Sequence, residues 1–214
     1  MDVLIDLDGT LLDPAAGIVA SFRAGLAAVG AADIPADKLG WIIGPPLRSS
    51  YPQAGVAAAD VEAALAAYRV TYRAGAMFQA TPYPGIGDAL ATLRAAGHRL
   101  IVATSKPHVF AKPILAHFDL ARHFAAIHGA ELDGRRDDKA ELIAHIITTA
   151  AVDPRRAIMI GDRKFDCLGA AANGIRTIGV RWGYGTADEL TAAGAAALAE
   201  RPSDLPAAVA RLLG

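Results

Sequence analysis

The chain has 214 residues, of which 53% are hydrophobic, and a formal net charge of −1. Because it has neither a basic stripe nor a block of like charges, we expect no nucleic-acid partner and no disordered tail. The length is sufficient for one large core, or for a core domain with a smaller companion. The single Cys167 cannot form an internal disulfide, and the N-terminus lacks the features of a secretory signal. We therefore expect a cytoplasmic protein that does not bind membranes.

Short apolar runs recur along the chain and predict the strands of one sheet. They cover residues 3–7, 99–105, 124–129, 157–162 and 176–183, with a weaker run at 196–200. Several runs are apolar almost throughout, which is typical of parallel strands that are buried on both faces. Helical patterns lie between and beyond them, at 85–98, 108–120, 138–151, 164–174 and 203–213. This alternation predicts an α/β fold with a doubly wound parallel sheet.

Residues 14–81 interrupt the alternation of strands and helices. They contain no convincing strand, and their helical stretches are 17–30 and 58–75. Pro and Gly residues at both ends of the segment indicate turns. We therefore expect an all-helical domain at 14–81, inserted into a core domain that is formed by residues 1–13 and 82–214.

Polar residues stand where several predicted strands end or where the helix beside them begins. In an open α/β sheet, ligands bind outside the carboxyl ends of the strands. These residues are therefore candidates for a functional site, if the strands are neighbours. They comprise four carboxylates, one hydroxyl and one ammonium: Asp6, Asp8, Asp162, Asp166, Thr104 and Lys139.

This combination of side chains has a chemical logic. Clustered carboxylates raise one another's pKa unless a cation lies among them. Ligands that are all oxygen suit Mg²⁺, which takes few carboxylates and keeps waters that a phosphate can replace. A cation that shields phosphate oxygens also lets a carboxylate approach phosphorus. A hydroxyl and an ammonium bind the remaining phosphoryl oxygens. The residues therefore predict phosphoryl chemistry with Mg²⁺ as the cofactor.

Four motifs, taken in order, resemble those of the haloacid dehalogenase superfamily. They are "DLDGTL" at 6–11, Thr104 after an apolar strand, Lys139, and "GDRKFD" at 161–166. The resemblance extends over essentially the whole chain, and the first and fourth motifs are its most specific parts. The helical insertion is similar to the cap of the phosphoglycolate phosphatase-like branch of that superfamily.

The resemblance implies catalytic roles for four residues. Asp6 is expected to be the nucleophile that forms an aspartyl-phosphate. Asp8 is expected to protonate the leaving oxygen and then to activate water. Thr104 and Lys139 are expected to hold the phosphoryl group. Dividing one difficult displacement into two is the usual gain from a covalent intermediate.

The resemblance also implies metal and substrate contacts. Mg²⁺ is expected on Asp6 and Asp162, on the backbone carbonyl of Asp8, and on Asp166 as a supporting group. In the insertion, "IGPPLR" at 43–48 is the most loop-like piece, and its arginine is expected to face the active site. The residues expected to contact substrate are Gly9, Thr10, Ser105, Lys106 and Arg48.

The acid at position 8 narrows the reaction class. Members of the superfamily that cleave carbon–halogen bonds lack this acid, and transport ATPases carry Thr there. Asp8 therefore favours a phosphatase or a phosphomutase. The segment "RRDDKAEL" at 135–142 replaces the Pro-rich segment of phosphoglycolate phosphatases and resembles a group of bacterial 5'-nucleotidases.

The resemblance thus implies a phosphatase that acts on a small phosphorylated metabolite. Phosphoglycolate and a nucleoside 5'-monophosphate both stay open as substrates. A sugar-phosphate phosphomutase is the alternative, and a receiver-like signalling domain, which also uses clustered acids and Mg²⁺, is a third hypothesis. We expect a monomer or a homodimer.

Overall fold

The computed structural model describes residues 1–213. The chain divides into two compact units. Met1–Asp13 and the chain from Pro82 onward form the first, called the core unit, and Pro14–Thr81 forms the second, called the insert unit. Among the described residues, no helix combines the length and the apolarity needed to span a membrane.

The core unit is built around a six-stranded parallel sheet. Its strands lie in the order β5-β4-β1-β6-β7-β8, and two very short strands form a separate two-stranded sheet. In chain order the strands are β1 (Asp2–Ile5), β2 (Leu12–Asp13), β3 (Thr81–Pro82), β4 (Arg99–Pro107), β5 (Ala126–Ala130), β6 (Ala157–Gly161), β7 (Arg176–Val180) and β8 (Ala197–Ala199). The predicted fold class, an α/β protein with a doubly wound parallel sheet, is confirmed.

In the core unit, helices connect the strands and cover the sheet. The helices of the chain are α1 (Ala15–Ala28), α2 (Leu47–Gln53), α3 (Val61–Arg73), α4 (Ile86–Ala95), α5 (His108–His117), α6 (Lys139–Thr149), α7 (Lys164–Ala172), α8 (Ala187–Ala192) and α9 (Leu205–Leu213). Short 3₁₀ turns occur at Ala36–Lys38, Gly40–Ile42, Ala58–Asp60, Ala76–Phe78, Ala121–His123, Pro154–Arg156 and Pro202–Asp204.

Strand β1 lies at the centre of the sheet, and its residues 3–5 are buried. It pairs in parallel with β4 on one side and with β6 on the other, so that Leu4 lies beside Ile101 and Met159. These three side chains belong to one buried cluster that also contains the apolar residues of α6. Continuous apolarity in a strand is what burial on both faces requires. The strand therefore places whatever follows Ile5 at the middle of the sheet's carboxyl edge.

The insert unit packs its helices around aromatic side chains. Phe22 of α1 and Tyr51 of α2 are stacked, with ring centroids 4.3 Å apart, and the Tyr51 hydroxyl donates to the Phe22 carbonyl at 3.3 Å. Helix α1 comes close to α3, because a Cβ at Gly25 would lie 2.7 Å from the carbonyl oxygen of Ala64. The unit therefore has a core of its own.

Two local predictions differ from the structure. The runs at 3–7, 157–162 and 176–183 give strands that end earlier, because the chain turns at the carboxyl edge of the sheet. Arg48 was expected in a loop, but it lies in the first turn of α2. That helix begins after Pro46, whose carbonyl accepts hydrogen bonds from the Ser49 and Ser50 hydroxyls. The two prolines at 45–46 indicated a loop, and the chain becomes helical directly after them.

Candidate active site

A tight turn follows β1 and brings two aspartates to the edge of the sheet. The Asp6 amide donates to the Ile160 carbonyl at 3.0 Å, which continues the pairing with β6. The chain then folds back, and the Leu7 carbonyl accepts amide hydrogen bonds from the three residues at 10–12. Gly9 has a φ of 81°, a left-handed conformation that glycine adopts without strain. The turn leaves Asp6 and Asp8 at the central position of the edge.

Three carboxylates come together at this edge. Asp6, Asp162 and Asp166 each offer an oxygen, and these oxygens lie within 4.8 Å of one another. All three residues are buried, with at most 5% of their surface exposed. Burial, together with the charges of Asp166 and Asp6, raises the pKa of Asp162 well above its usual range. Such a group is costly unless positive charge balances it.

Lys139 supplies part of that balance. Its Nζ lies 3.1 Å from Asp6 Oδ1 and 2.7 Å from Asp166 Oδ1, and it donates a hydrogen bond to the Ala103 carbonyl at 3.0 Å. Burial alone would lower the pKa of the lysine, but the charges of Asp166 and Asp6 raise it above its ordinary value. The ammonium therefore stays charged at neutral pH.

The start of α6 explains why the lysine lies there. The Asp138 side chain accepts hydrogen bonds from the Ala140 and Glu141 amides, at 2.8 and 3.1 Å, and thereby caps the helix. This cap makes Lys139 the first helical residue. A cation is normally unfavourable at a helix N-terminus, so the two carboxylates near it provide the compensating interaction.

The three-acid cluster fits a divalent cation. When all three carboxylates are ionised, they exceed the single ammonium of Lys139 by two negative charges in a buried space. Asp6 Oδ1 and Asp166 Oδ1 lie at ion-pair distance from Lys139, yet among the described residues neither oxygen has a partner at hydrogen-bond angles. A close positive charge attracts these oxygens without satisfying their directional lone pairs. All-oxygen ligands with excess negative charge suit a hard divalent metal.

Asp162 is held by groups from two other segments. Thr10 Oγ1 donates to Asp162 Oδ1 at 3.2 Å, and the Tyr184 amide donates to Asp162 Oδ2 at 2.8 Å. Trp182 Nε1 donates to the Thr10 carbonyl at 3.0 Å and so ties these segments together. A Cβ at Gly183 would lie 2.3 Å from Asp162 Cβ, so this approach requires glycine. The sequence analysis did not identify this support, although the two glycines of "GYG" at 183–185 are a signal that could have pointed to it.

Asp166 is fixed by the start of α7. Its Oδ2 accepts a hydrogen bond from the Arg163 amide at 3.1 Å, while its Oδ1 faces Lys139. A Cβ at Gly161 would lie 2.2 Å from the Asp166 Cγ atom. Burial raises the pKa of Asp166, against the opposing effect of Lys139. The spacing of "GDRKFD" thus puts Asp162 before the helix and Asp166 in its first turn.

Asp8 lies in a second ion pair, outside the three-acid cluster. Its Oδ2 is 2.9 Å from Lys106 Nζ, and the two side chains are only 13% and 5% exposed. Burial raises the pKa of Asp8, while Lys106 opposes the shift. The Lys106 amide donates to Thr104 Oγ1 at 3.2 Å, which links this pair to the end of β4. Sequence reasoning named Lys106 but missed its pairing with Asp8.

Other predicted substrate contacts are engaged within the protein. The Gly9 amide donates to the Leu12 carbonyl at 2.8 Å, and the Thr10 hydroxyl donates to Asp162. Ser105 is half-buried on β4. Arg48 forms an ion pair with Glu62 inside the insert unit. The substrate contacts proposed for these residues stay predictions.

Three of the curated relatives carry different names. A 5'-nucleotidase from Pseudomonas aeruginosa is 43% identical over 192 residues, which are 89% of this chain and 87% of that protein. A tyrosine-protein kinase, PtkA, from Mycobacterium tuberculosis is 45% identical over 186 residues, 87% of this chain and 64% of that protein. A phosphoglycolate phosphatase from Agrobacterium fabrum is 35% identical over 187 residues, 85% of this chain and 80% of that protein.

A solved structure and a family model agree with the resemblance drawn from the four motifs. The structure, described as a predicted phosphatase from Clostridium acetobutylicum, is 37% identical, with a TM-score of 0.94 over 98% of each chain. The family model, described as haloacid dehalogenase-like hydrolase, matches residues 3–180. The expected superfamily and the expected enzyme class are confirmed. The chain belongs to the haloacid dehalogenase-like hydrolases and is a hydrolase of the phosphatase type.

Proposed function

We propose that the protein is a Mg²⁺-dependent phosphatase that hydrolyses a small phosphate monoester through a phosphorylated Asp6. The observation that carries the proposal is the buried three-acid cluster of Asp6, Asp162 and Asp166, which a single ammonium, that of Lys139, approaches. The cluster lies where β1 ends, and Thr104 is buried near the end of the neighbouring strand β4. This is the set of groups that phosphoryl transfer to a carboxylate requires.

In the first step, the Asp6 carboxylate attacks phosphorus, and the bond to the ester oxygen breaks. Asp8 gives its proton to that oxygen, so that an alcohol leaves. In the second step, Asp8 takes a proton from water, the water oxygen attacks phosphorus, and Asp6 is released with inorganic phosphate. An acid that later acts as a base needs a pKa near the working pH. Burial raises the pKa of Asp8, which is the direction that an acid of this kind requires, while Lys106 opposes the shift.

The metal would be held by Asp6, Asp162 and the backbone carbonyl of Asp8, with Asp166 as support. When bound, the cation would shield phosphoryl oxygens and so reduce their repulsion of the attacking carboxylate. We assign Thr10 to the positioning of Asp162, because its hydroxyl already donates to that carboxylate.

Thr104 and Lys139 are the proposed anchors for the phosphoryl oxygens. Thr104 is 2% exposed and lies on β4 beside the central strand. Lys139 is charged and buried next to the attacking oxygen of Asp6. Preorganised donors of this kind stabilise charge that develops in the transition state.

The proposed substrate is a nucleoside 5'-monophosphate or phosphoglycolate. The relative named a 5'-nucleotidase and the relative named a phosphoglycolate phosphatase both align over most of the chain. The higher identity of the first favours the nucleotide. The insert unit, residues 14–81, is the proposed cap that excludes water and selects the leaving group, with Arg48 as a substrate contact. A cytoplasmic location fits the single, buried Cys167.

A phosphate-release screen tests this proposal. Nucleoside monophosphates, phosphoglycolate, sugar phosphates and p-nitrophenyl phosphate are each assayed with Mg²⁺ and with a chelator. We expect Mg²⁺-dependent release that Asp6→Asn abolishes, while Asp88→Asn, the same change at an exposed site on α4, keeps wild-type rates. Near-normal turnover by a folded Asp6→Asn protein would contradict the mechanism, and full activity in chelator would contradict the metal.

A second candidate is transfer of the phosphoryl group from Asp6 to an acceptor hydroxyl instead of water. The observation that favours it is the 45% identity to a relative named a tyrosine-protein kinase. The sugar-phosphate phosphomutase expected as the alternative belongs to the same class of reaction. Loss of substrate without stoichiometric phosphate release, together with a new phosphoester, would identify transfer.

A further inference from the structure

A basic cavity lies at the amino end of the sheet, opposite the candidate active site. It has a volume of about 250 Å³, and its charged and titratable lining residues are Arg94, His98, Arg99, Arg122 and His123. Arg99 begins β4, and Thr104 of the candidate active site follows five residues later. An extended strand rises about 3.3 Å per residue, so the two places are about 16 Å apart along the strand. The cavity is therefore separate from the proposed chemistry.

The positive charge around the cavity exceeds the negative charge that compensates it. Arg99 pairs with Asp2, with Nε 2.6 Å from Oδ1, and Arg122 pairs with Asp119, with Nη1 2.7 Å from Oδ2. Arg94 instead donates to the Arg122 carbonyl, a neutral acceptor, at 2.8 Å. Three guanidinium groups and two carboxylates leave one positive charge.

His123 presents a buried donor without an acceptor. Arg122 Nε donates to His123 Nε2 at 3.4 Å, so a neutral ring carries its proton on Nδ1. The residue is only 6% exposed, and among the described residues Nδ1 has no hydrogen-bond partner. Nδ1 of the half-buried His98 also lacks a partner there. Buried polar atoms without partners are rare in native proteins, so each points to a group that completes it.

We propose that this cavity binds a small oxyanion of the phosphate type, either inorganic phosphate or the phosphate group of a small ester. An anion would supply the missing acceptor for His123 and would neutralise the excess charge of Arg94 and its neighbours. Guanidinium groups suit phosphate because their planar forks match its oxygens. The volume is below the range of pockets that hold drug-sized ligands, which limits the occupant to a small molecule.

Anion binding at this cavity would be coupled to protonation of histidine, and this coupling can be measured. Burial first, and then the charges of Arg122 and Arg94, lower the pKa of His123, while Asp119 opposes them. Burial, and then the N-terminal ammonium, lower the pKa of His98. A bound anion would favour the charged form of His98 and raise its pKa, whereas charging of His123 would also require Arg122 Nε to give up its hydrogen bond to Nε2. Binding would therefore take up protons and become tighter as the pH falls.

The test is a titration of the full chain with orthophosphate, at constant ionic strength, followed by NMR of histidine side chains labelled with ¹³C and ¹⁵N. The His123 resonance is assigned from a His123→Gln sample. We expect saturating shifts at His98 and His123, and a binding constant weakened about ten-fold by Arg94→Gln, since a charge-assisted hydrogen bond is lost. Arg156→Gln, an equal loss of charge at another exposed site, leaves the binding constant unchanged.

Several outcomes would overturn the proposal. They are shifts that grow linearly without saturating, shifts confined to the other four histidines, or equal weakening by Arg94→Gln and Arg156→Gln. Arg94 is exposed, so its variant is expected to fold, and Arg99→Gln serves as a second variant if circular dichroism shows otherwise. A parallel titration with glycerol phosphate distinguishes inorganic phosphate from a phosphate ester. Saturation at a lower concentration of glycerol phosphate than of orthophosphate would identify the ester as the preferred ligand.

Discussion

The two ends of the central sheet hold charge in opposite ways. At the carboxyl end, negative charge is concentrated and buried: the Lys139 and Asp166 side chains are 4% and 1% exposed. At the amino end, positive charge surrounds an open cavity, and a representative ion pair, Arg122 with Asp119, is 65% and 72% exposed. Water screens charges at the second site and not at the first.

Because of this difference in exposure, charges at the two ends contribute differently to stability. Buried charges interact strongly and must be mutually compensated. If one partner is lost, the other charge stays buried with neither a counter-ion nor water to stabilise it. Exposed charges interact weakly, and each is replaceable. We therefore expect substitutions at the carboxyl end to have large effects and conservative changes at the amino end to have small ones.

The largest effect is expected for Asp8→Asn, which removes the proposed acid without altering the three-acid cluster. General acid–base catalysis contributes about 10²–10⁴-fold, or about 3–5.5 kcal/mol. The loss of kcat should approach this range for esters of ordinary alcohols and be much smaller for p-nitrophenyl phosphate, whose leaving group needs little protonation. Steady-state rates for both substrate types measure it. Equal losses on both would show that Asp8 does not protonate the leaving oxygen.

Lys139→Met is expected to have the next largest effect, on folding. It leaves Asp6 and Asp166 buried without their cation, which typically costs about 3–5 kcal/mol. Urea denaturation at neutral pH, without metal, measures the free energy of unfolding. Lys112→Met, at an exposed position on α5, is the matched control and should change it little.

A double variant tests whether the lost stability comes from the ion pair. Adding Asp166→Asn to Lys139→Met removes one of the two buried carboxylate charges that have lost their cation. The double variant should therefore have a higher free energy of unfolding than Lys139→Met alone. If the Lys139→Met and Lys112→Met proteins had equal free energies of unfolding, the buried interaction of Lys139 with Asp6 and Asp166 would not stabilise the fold.

Gly9→Ala is expected to have an intermediate effect. Gly9 has a φ of 81°, and a Cβ there would lie 2.2 Å from Asp162 Oδ2. Left-handed strain alone costs about 1–3 kcal/mol, and the collision adds to it. Gly97 has the same φ, and a Cβ there meets nothing within 4 Å. Gly97→Ala therefore measures the strain alone, by thermal denaturation and phosphate release. If Gly9→Ala and Gly97→Ala lose equal stability and both release phosphate at wild-type rates, the collision has no effect. The side chain of Asp162 can then move away from position 9 without harm to the site.

The sequence predicted the strands, and with them the edge where the acids meet. Apolar runs ending in Asp6 and Asp162 are local signals, and a parallel sheet brings such ends together by rule. The support of these residues depended on distant partners. The amide of Tyr184 reaches Asp162 across 22 residues, and Lys106 reaches Asp8 across the sheet. No periodicity encodes such contacts, and the close approach of Gly183 and Gly185 to Asp162 is visible only in the structure.

The basic cavity escaped sequence reasoning for a related reason. Its arginines and histidines come from the end of α4, the start of β4 and the turn before β5. In the sequence, nothing distinguishes any one of these residues from an ordinary surface or core position near a loop. Only the topology, which puts the amino ends of β4 and β5 side by side, collects them around one space.

The smallest effect is expected for the ion pair between Arg99 and Asp2 at the amino end. Both oxygens of Asp2 accept from Arg99, at 2.6 and 2.9 Å, where β1 and β4 begin side by side. The arginine side chain is 42% exposed, so water weakens the attraction. A double-mutant cycle with Arg99→Gln and Asp2→Asn should give a coupling of about 0.2–1 kcal/mol that falls at 1 M salt.

The same cycle applied to Lys139 and Asp166 provides the comparison. Their coupling should be several-fold larger and should change little with salt, because solvent ions do not reach a buried pair. A coupling above about 2 kcal/mol for Arg99 and Asp2 would be outside the range of exposed pairs. It would mean that position in the sheet, and not burial, sets the strength of these ion pairs.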